Sequence, residues 1–179
     1  SMVALVYYKS GTNGGVYLKS ADLVNGWRTR PNVLGFSTQA PQLAFSSTTT
    51  STVYAVWIDT TGTSVEYARC TISVDAPPDC PETGTMYESG GDLLNTPDIA
   101  VDGNHKIHVA WANDDDRSIQ TIMITSTTAL PFAGTVTDRT PGALEKFVQP
   151  KLAASGSYVH LAYLGDPDGG TLNANRVIY

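Results

Sequence analysis

Six aspartates in short, turn-rich stretches are the residues of this chain with the clearest chemical potential. The stretches read SGTNGG (10–15), DTTGTS (59–64), NDDDRS (113–118) and GDPDGG (165–170). They supply Asp59, Asp114, Asp115, Asp116, Asp166 and Asp168, with Arg117 as the only Arg or Lys. Carboxylates beside turn carbonyls are the ligand type that Ca²⁺ takes, several oxygens at a time. The run Asp166-x-Asp168-Gly169 has the opening of a calcium loop but lacks its later acidic ligands. The same carboxylates would suit another cationic ligand, or a carboxylate active site. A sugar carboxylate would meet like charge there, which is costly. Asp, Asn and Gly are also ordinary turn residues, because Asp and Asn bond their own turn backbone. That reading stands beside the others.

Further chemistry is thinly spread. Hydrolysis of a glycosidic bond needs two opposed carboxyl groups roughly 5–9 Å apart, and Glu66, Glu82, Glu88 and Glu145 are scattered without nominating a pair. No G-x-S-x-G run is present to carry a serine nucleophile. His108 and His160 occupy the repeat position held by Tyr54, which suits packing and hydrogen bonding better than base catalysis, and His105 lies in a DGNHK turn. Cys70 and Cys80 bracket TISVDAPPD. Two cysteines flanking one turn-rich loop favour a disulfide and an oxidising compartment. Zinc would want about four ligands, and no histidine is close by.

These residues are positioned by a repeat. VALVYYK, VYAVWID, IHVAWAN and VHLAYLG align without gaps on Tyr7, Trp57, Trp111 and Tyr163, at steps of 50, 54 and 52 residues. APQLAFS, TPDIAVD and QPKLAAS precede the last three, and a turn with a further strand-like run follows each. The runs are rich in Val, Ile, Tyr and Thr and separated by Gly, Asn, Asp and Ser, which predicts strands. A constant step of about 50 residues predicts an all-β propeller built of four-stranded antiparallel blades. The repeat units are approximately 3–39, 40–95, 96–148 and 149–179 of a single domain, 1–179. They amount to two complete blades with a partial one on each side, about 3.5 blades. A closed ring would need more, so a longer propeller or a homodimer that completes one is expected.

The stretch KSADLVNGW resembles the Asp-box, S-x-D-x-G-x-T-W, of the sialidase-like or BNR-repeat propellers. Ser20, Asp22 and Trp27 match; Val24 and Gly26 stand where the box has Gly and Thr. The resemblance covers eight residues, while the blade pattern runs along most of the chain. It implies a structural turn in which Asp22 caps backbone amides and Trp27 packs between blades, and it gives Trp57, Trp111 and Tyr163 structural roles too. It does not imply a catalytic set here: the family's Arg-Ile-Pro run is absent, and RTRPNV places Arg30 directly before Pro31.

A net charge of −6 and the lack of a basic block exclude nucleic acid as partner. No apolar run reaches the roughly 18 residues of a membrane span. No signal peptide is present, and Ser1-Met2 reads as an expression scar, which leaves room for a native leader to have been removed. The expectation is a non-catalytic, extracellular or cell-surface module that binds a glycan or a protein surface, with no cofactor other than calcium. One alternative is a fragment of a sialidase-like glycoside hydrolase with its catalytic residues on missing blades. The other is an assembly domain of a larger cell-surface protein.

Overall fold

Alternation with a period of two builds every element of this chain. The computed structural model describes residues 2–10, 15–22, 24, 26–29, 33–46, 51–125, 135–138, 146–166 and 176–178. Its strands are β1 (Met2–Lys9), β2 (Gly15–Asp22), β3 (Gly26–Thr29), β4 (Gln42–Phe45), β5 (Thr52–Ile58), β6 (Ser64–Thr71) and β7 (Asp79–Glu88). They continue as β8 (Leu94–Val101), β9 (Ile107–Asn113), β10 (Ser118–Ile124), β11 (Val136–Asp138), β12 (Lys146–Ser155), β13 (Tyr158–Asp166) and β14 (Arg176–Ile178). No helix occurs among the described residues.

The strands form four antiparallel meanders: β1-β2-β3, β4-β5-β6-β7, β8-β9-β10-β11 and β12-β13-β14, here sheets 1 to 4. The inner strands β4, β8 and β12 lie against one another in turn, so the sheets fan around a common side.

The second strands of sheets 2 and 3, β5 and β9, divide their side chains between two interfaces. Val53, Ala55 and Trp57 join Val6, Val16 and Leu18 between sheets 1 and 2. Tyr54, Val56 and Ile58 meet Ile107, Val109 and Trp111 between sheets 2 and 3. Ala112 and Ile119 then pack on Tyr163 of sheet 4. The four repeat aromatics therefore share one direction. Trp57, Trp111 and Tyr163 each face the preceding sheet, where a buried aromatic side chain supplies a large part of the interface energy. Tyr7 projects from the far side of sheet 1, stacked on its cross-strand partner Tyr17 at 5.6 Å. Val3 and Leu5 on the same face are about half exposed.

Cys70 and Cys80 form a disulfide that closes the β6–β7 connection. Both are buried in the interface between sheets 1 and 2. At the turn after β2, Asp22 Oδ1 accepts the Val24 amide at 2.7 Å. Ser20 is buried beside it. Trp27 departs from the expectation that it packs between blades: it is 55% exposed on β3. Its partner Ala21 lies in register with Val3, on the sheet face opposite Val6 and Leu18, so no neighbouring described sheet covers the indole.

Candidate functional site

In sheets 2 and 3 the second and third strands turn over at the same end at which the inner strands begin. Leu94, the first residue of β8, pairs with Asn113, the last of β9. Loops 59–63 and 114–117 consequently sit beside the corner where the chain enters β8. The aspartates predicted as ligands are used here to hold these loops and that corner.

Asp59 closes its own loop. Its Oδ1 accepts the Thr63 and Ser64 amides, each at 3.0 Å, and its Oδ2 accepts the Thr61 amide at 3.1 Å and the Thr61 hydroxyl. Burial alone would raise this carboxyl, but the Thr61 hydroxyl and the Ser64, Thr61 and Thr63 amides together hold it below the usual range. Asp115 Oδ2 accepts the Leu93 amide at 2.7 Å, and Asp114 Oδ2 accepts Asn95 Nδ2 at 2.6 Å. Asp116 Oδ2 accepts Asn113 Nδ2 at 3.2 Å. Among the described residues no group of three or more side chains is placed to hold a metal ion. Asp166 is described in its backbone alone, and Asp168 lies outside the described residues.

What these bonds secure is a cleft of about 710 Å³ at the start of the inner strands. Its walls come from repeat-equivalent corners of three sheets: Gln39, Ala40 and Gln42; Asn95, Thr96 and Pro97; Gln149, Pro150 and Lys151. Tyr163 and Leu164 complete it from β13. Thr96 (φ 46°) and Gln149 (φ 54°) are both left-handed and both immediately precede proline. A bulky residue before proline is normally held in the extended region, so this conformation is strained and must be fixed by its surroundings. The fixing groups are visible at Thr96. Gln39 Oε1 accepts its amide at 2.8 Å, Gln39 Nε2 donates to the Leu94 carbonyl at 3.2 Å, and the Thr96 hydroxyl bonds Asn95 Oδ1 at 2.8 Å. Each strained residue sits in a ladder irregularity, between Asn95 and Asp98 in β8 and between Val148 and Lys151 in β12. Asp98 ties the next sheet in, since its Oδ2 accepts the Leu152 amide at 2.7 Å.

A smaller cleft of about 260 Å³ opens at the same end between sheets 1 and 2, lined by Gly35, Phe36, Trp57, Asp59, Glu66 and Thr83 among others. Burial first, then the charges of Asp59 and Glu88, raise the Glu66 carboxyl, outweighing the Thr85 hydroxyl that bonds its Oε1 at 2.8 Å.

Two solved structures share this arrangement. One is a GH43 β-1,3-galactosidase, with TM-score 0.55 and 11% identity over 99% of this chain and 43% of that one. The other is a fucose lectin from Kordia zhangzhouensis in complex with methyl-fucoside, with TM-score 0.50 and 12% identity over 76% of this chain and 89% of that one. The sheets are propeller blades. At such identity the likeness concerns the fold alone, and this chain spans less than half of the galactosidase. No protein-family model matches the sequence, and no curated protein matches it either.

Of the residues singled out from the sequence, the structure brings Asp114, Asp115 and Asp116 together as corner supports and places Asp59 at the smaller cleft. Gln39, Thr96, Gln149 and Lys151 escaped sequence reasoning. The available signal was the shared proline of the three corner segments, Pro41, Pro97 and Pro150, preceded by three different residues: Ala40, Thr96 and Gln149.

Proposed function

We propose that this chain is a non-catalytic, extracytoplasmic propeller module that binds a glycan in the cleft at the start of its inner strands. The observation that carries this reading is the convergence of three equivalent corners, two of them strained, on one concave surface. Side-chain amides at Gln42 and Gln149 donate and accept at once, as sugar hydroxyls require, while Pro97, Pro150 and Leu164 offer apolar surface to a ring face. The described lining holds no carboxylate, whereas glycoside hydrolysis calls on two. The fucose lectin supports the choice of ligand class as an analogy of fold. The buried disulfide supports an oxidising compartment.

Kinship with the Asp-box propellers belongs to the same proposal and rests on the Asp22 turn. So does self-association, which rests on the exposed Val3, Leu5 and Tyr7 face. A hydrolase fragment is the second reading, supported by the galactosidase fold.

A glycan array probed with the purified chain tests the proposal. Binding to a restricted set of glycans is expected, weakened about tenfold by Gln149→Ala or Lys151→Ala, a loss of about 1.4 kcal/mol. A flat array overturns it, and so does hydrolysis of a fluorogenic galactoside or sialoside by this chain alone.

A further inference from the structure

The smaller cleft exists because two equivalent blade interfaces are filled differently. Between blades 2 and 3, Tyr87 of β7 stacks on Trp111 with ring centroids 5.1 Å apart. Trp111 is fully buried, and its Nε1 donates to Gln120 Oε1 at 2.9 Å. The strand register gives the counterpart of each residue between blades 1 and 2. Tyr87 pairs with Val65, the second residue of β6; Gly35 pairs with Val16, the second residue of β2. Gly35 therefore stands in the place of Tyr87. Trp57 stands in the place of Trp111, and Glu66, its cross-strand partner, in the place of Gln120.

Three consequences follow. The ring that seals the second interface is missing from the first, and Trp57 comes up against bare backbone: a Cβ on Gly35 would lie 2.6 Å from Trp57 Cζ2 and 3.0 Å from its Nε1. Trp57 is 2% exposed, yet among the described residues its Nε1 has no counterpart to the Trp111–Gln120 bond, because the Glu66 carboxyl is turned to Thr85. Phe36, the next residue along, is 61% exposed at the rim. An indole N–H that opens onto a cleft without a protein partner is free to bond water or a ligand there.

We infer that this cleft is a second ligand site, which takes one neutral pyranose ring of a glycan. Phe36 presents an apolar face to the C–H side of the ring. The Trp57 N–H donates to one hydroxyl, the Glu66 carboxylate accepts from a neighbouring one, and the Thr83 hydroxyl serves either role. Adjacent donor and acceptor suit a vicinal diol. The volume suits a single ring, whereas the inner cleft is larger by more than a factor of two. The site stands on residues apart from that cleft and does not depend on the reading given to it.

The chain has three tryptophans, Trp27, Trp57 and Trp111, so ¹H–¹⁵N spectra report three indole N–H signals, and Trp57→Phe assigns one. Methyl α-L-fucoside, methyl β-D-galactoside and methyl β-D-glucoside are titrated to about 50 mM, a range that reaches weak monosaccharide affinities. At least one is expected to move the Trp57 signal saturably while Trp111, sealed by Tyr87, stays still. Phe36→Ala, at an exposed position, weakens that response about tenfold, or 1.4 kcal/mol, and Glu66→Gln weakens it too. Gln149→Ala leaves it unchanged, which separates this site from the inner cleft. No movement of the Trp57 signal with any glycoside overturns the proposal. Movement with tetramethylammonium instead, or an unaltered response in folded Phe36→Ala, overturns it equally.

Discussion

Breaking the Cys70–Cys80 link should cost this chain a large share of its stability. The bridge joins residues ten apart in sequence. Loop-closure entropy for a loop of that size gives roughly 2.5–3 kcal/mol at 25 °C, through restriction of the unfolded chain. Domains of this size are stable by only about 5–15 kcal/mol, so the loss would be plain in a urea titration. Both cysteines are buried between blades 1 and 2, packed with Ile72, Val53 and Ala68. The test variant is therefore Cys70→Ala/Cys80→Ala, since serine would bury two hydroxyls and confound the result. Urea unfolding of the oxidised chain, the reduced chain and the double variant is followed by far-ultraviolet circular dichroism and fluorescence. The reduced chain and the variant are both expected to unfold at lower urea, with a slightly steeper dependence because the open unfolded chain exposes more surface. If oxidised and reduced chains agree within about 0.5 kcal/mol, the cross-link is not limiting the unfolded ensemble, and the entropic argument fails. Titration of two free thiols in the native protein would refute the pairing itself.

Three further outcomes are expected. Asp102 takes the Asn104 and Lys106 amides on Oδ1 at 2.8 and 2.9 Å and lies 3.1 Å from His108 Nε2. Burial alone would raise its carboxyl, but the Lys106 amide, His108 and the Asn104 amide hold it below its ordinary value. The stability it supplies is therefore complete above an unfolded pKa of about 3.9 and is lost as pH falls through the lower folded value. Asp102→Ala should lower the urea midpoint at pH 7 and flatten its fall below about pH 4, and an unchanged acid limb would contradict this. Gln120→Ala strands the buried Trp111 N–H and should cost about 1–3 kcal/mol in thermal unfolding, with Gln120→Glu, the residue blade 2 carries, recovering part of it. Light scattering coupled to gel filtration should show self-association of the chain, reduced by Tyr7→Glu in the middle of the exposed apolar face; a wild type monomeric at all concentrations would overturn that expectation.

The repeat made much of this fold legible. Aromatic anchors at near-constant steps mark β1, β5, β9 and β13, and the strand-like runs around them partition into four meanders. The disulfide was legible because its cysteines flank one turn. Residue type did not reveal where carboxylates point. Asp59 and Asp115 look like ligands in a sequence, and only the positions of the Thr63, Ser64 and Leu93 amides show them satisfied at home. The strained corners left only their shared prolines as a trace, since left-handed backbone is signalled by glycine and here is adopted by Thr96 and Gln149. The smaller cleft was hidden for another reason. Pairing Gly35 with Tyr87 depends on which residue of the outer strand meets the second residue of the third, and strand register is a property of the folded sheet.

The contrast between those two residues bears on how propellers acquire valency. An aromatic ring at the outer-strand position plugs the seam between two blades; a glycine there leaves a vacancy onto which an indole donor opens. The choice is local to one seam and leaves the rest of the ring's architecture unaltered. Duplicated blades could thus gain or lose ligand sites one seam at a time, by substitution at a single position together with its facing partner. For a receptor whose grip on a clustered ligand grows steeply with the number of occupied sites, avidity would then be set seam by seam, independently of the strength of each.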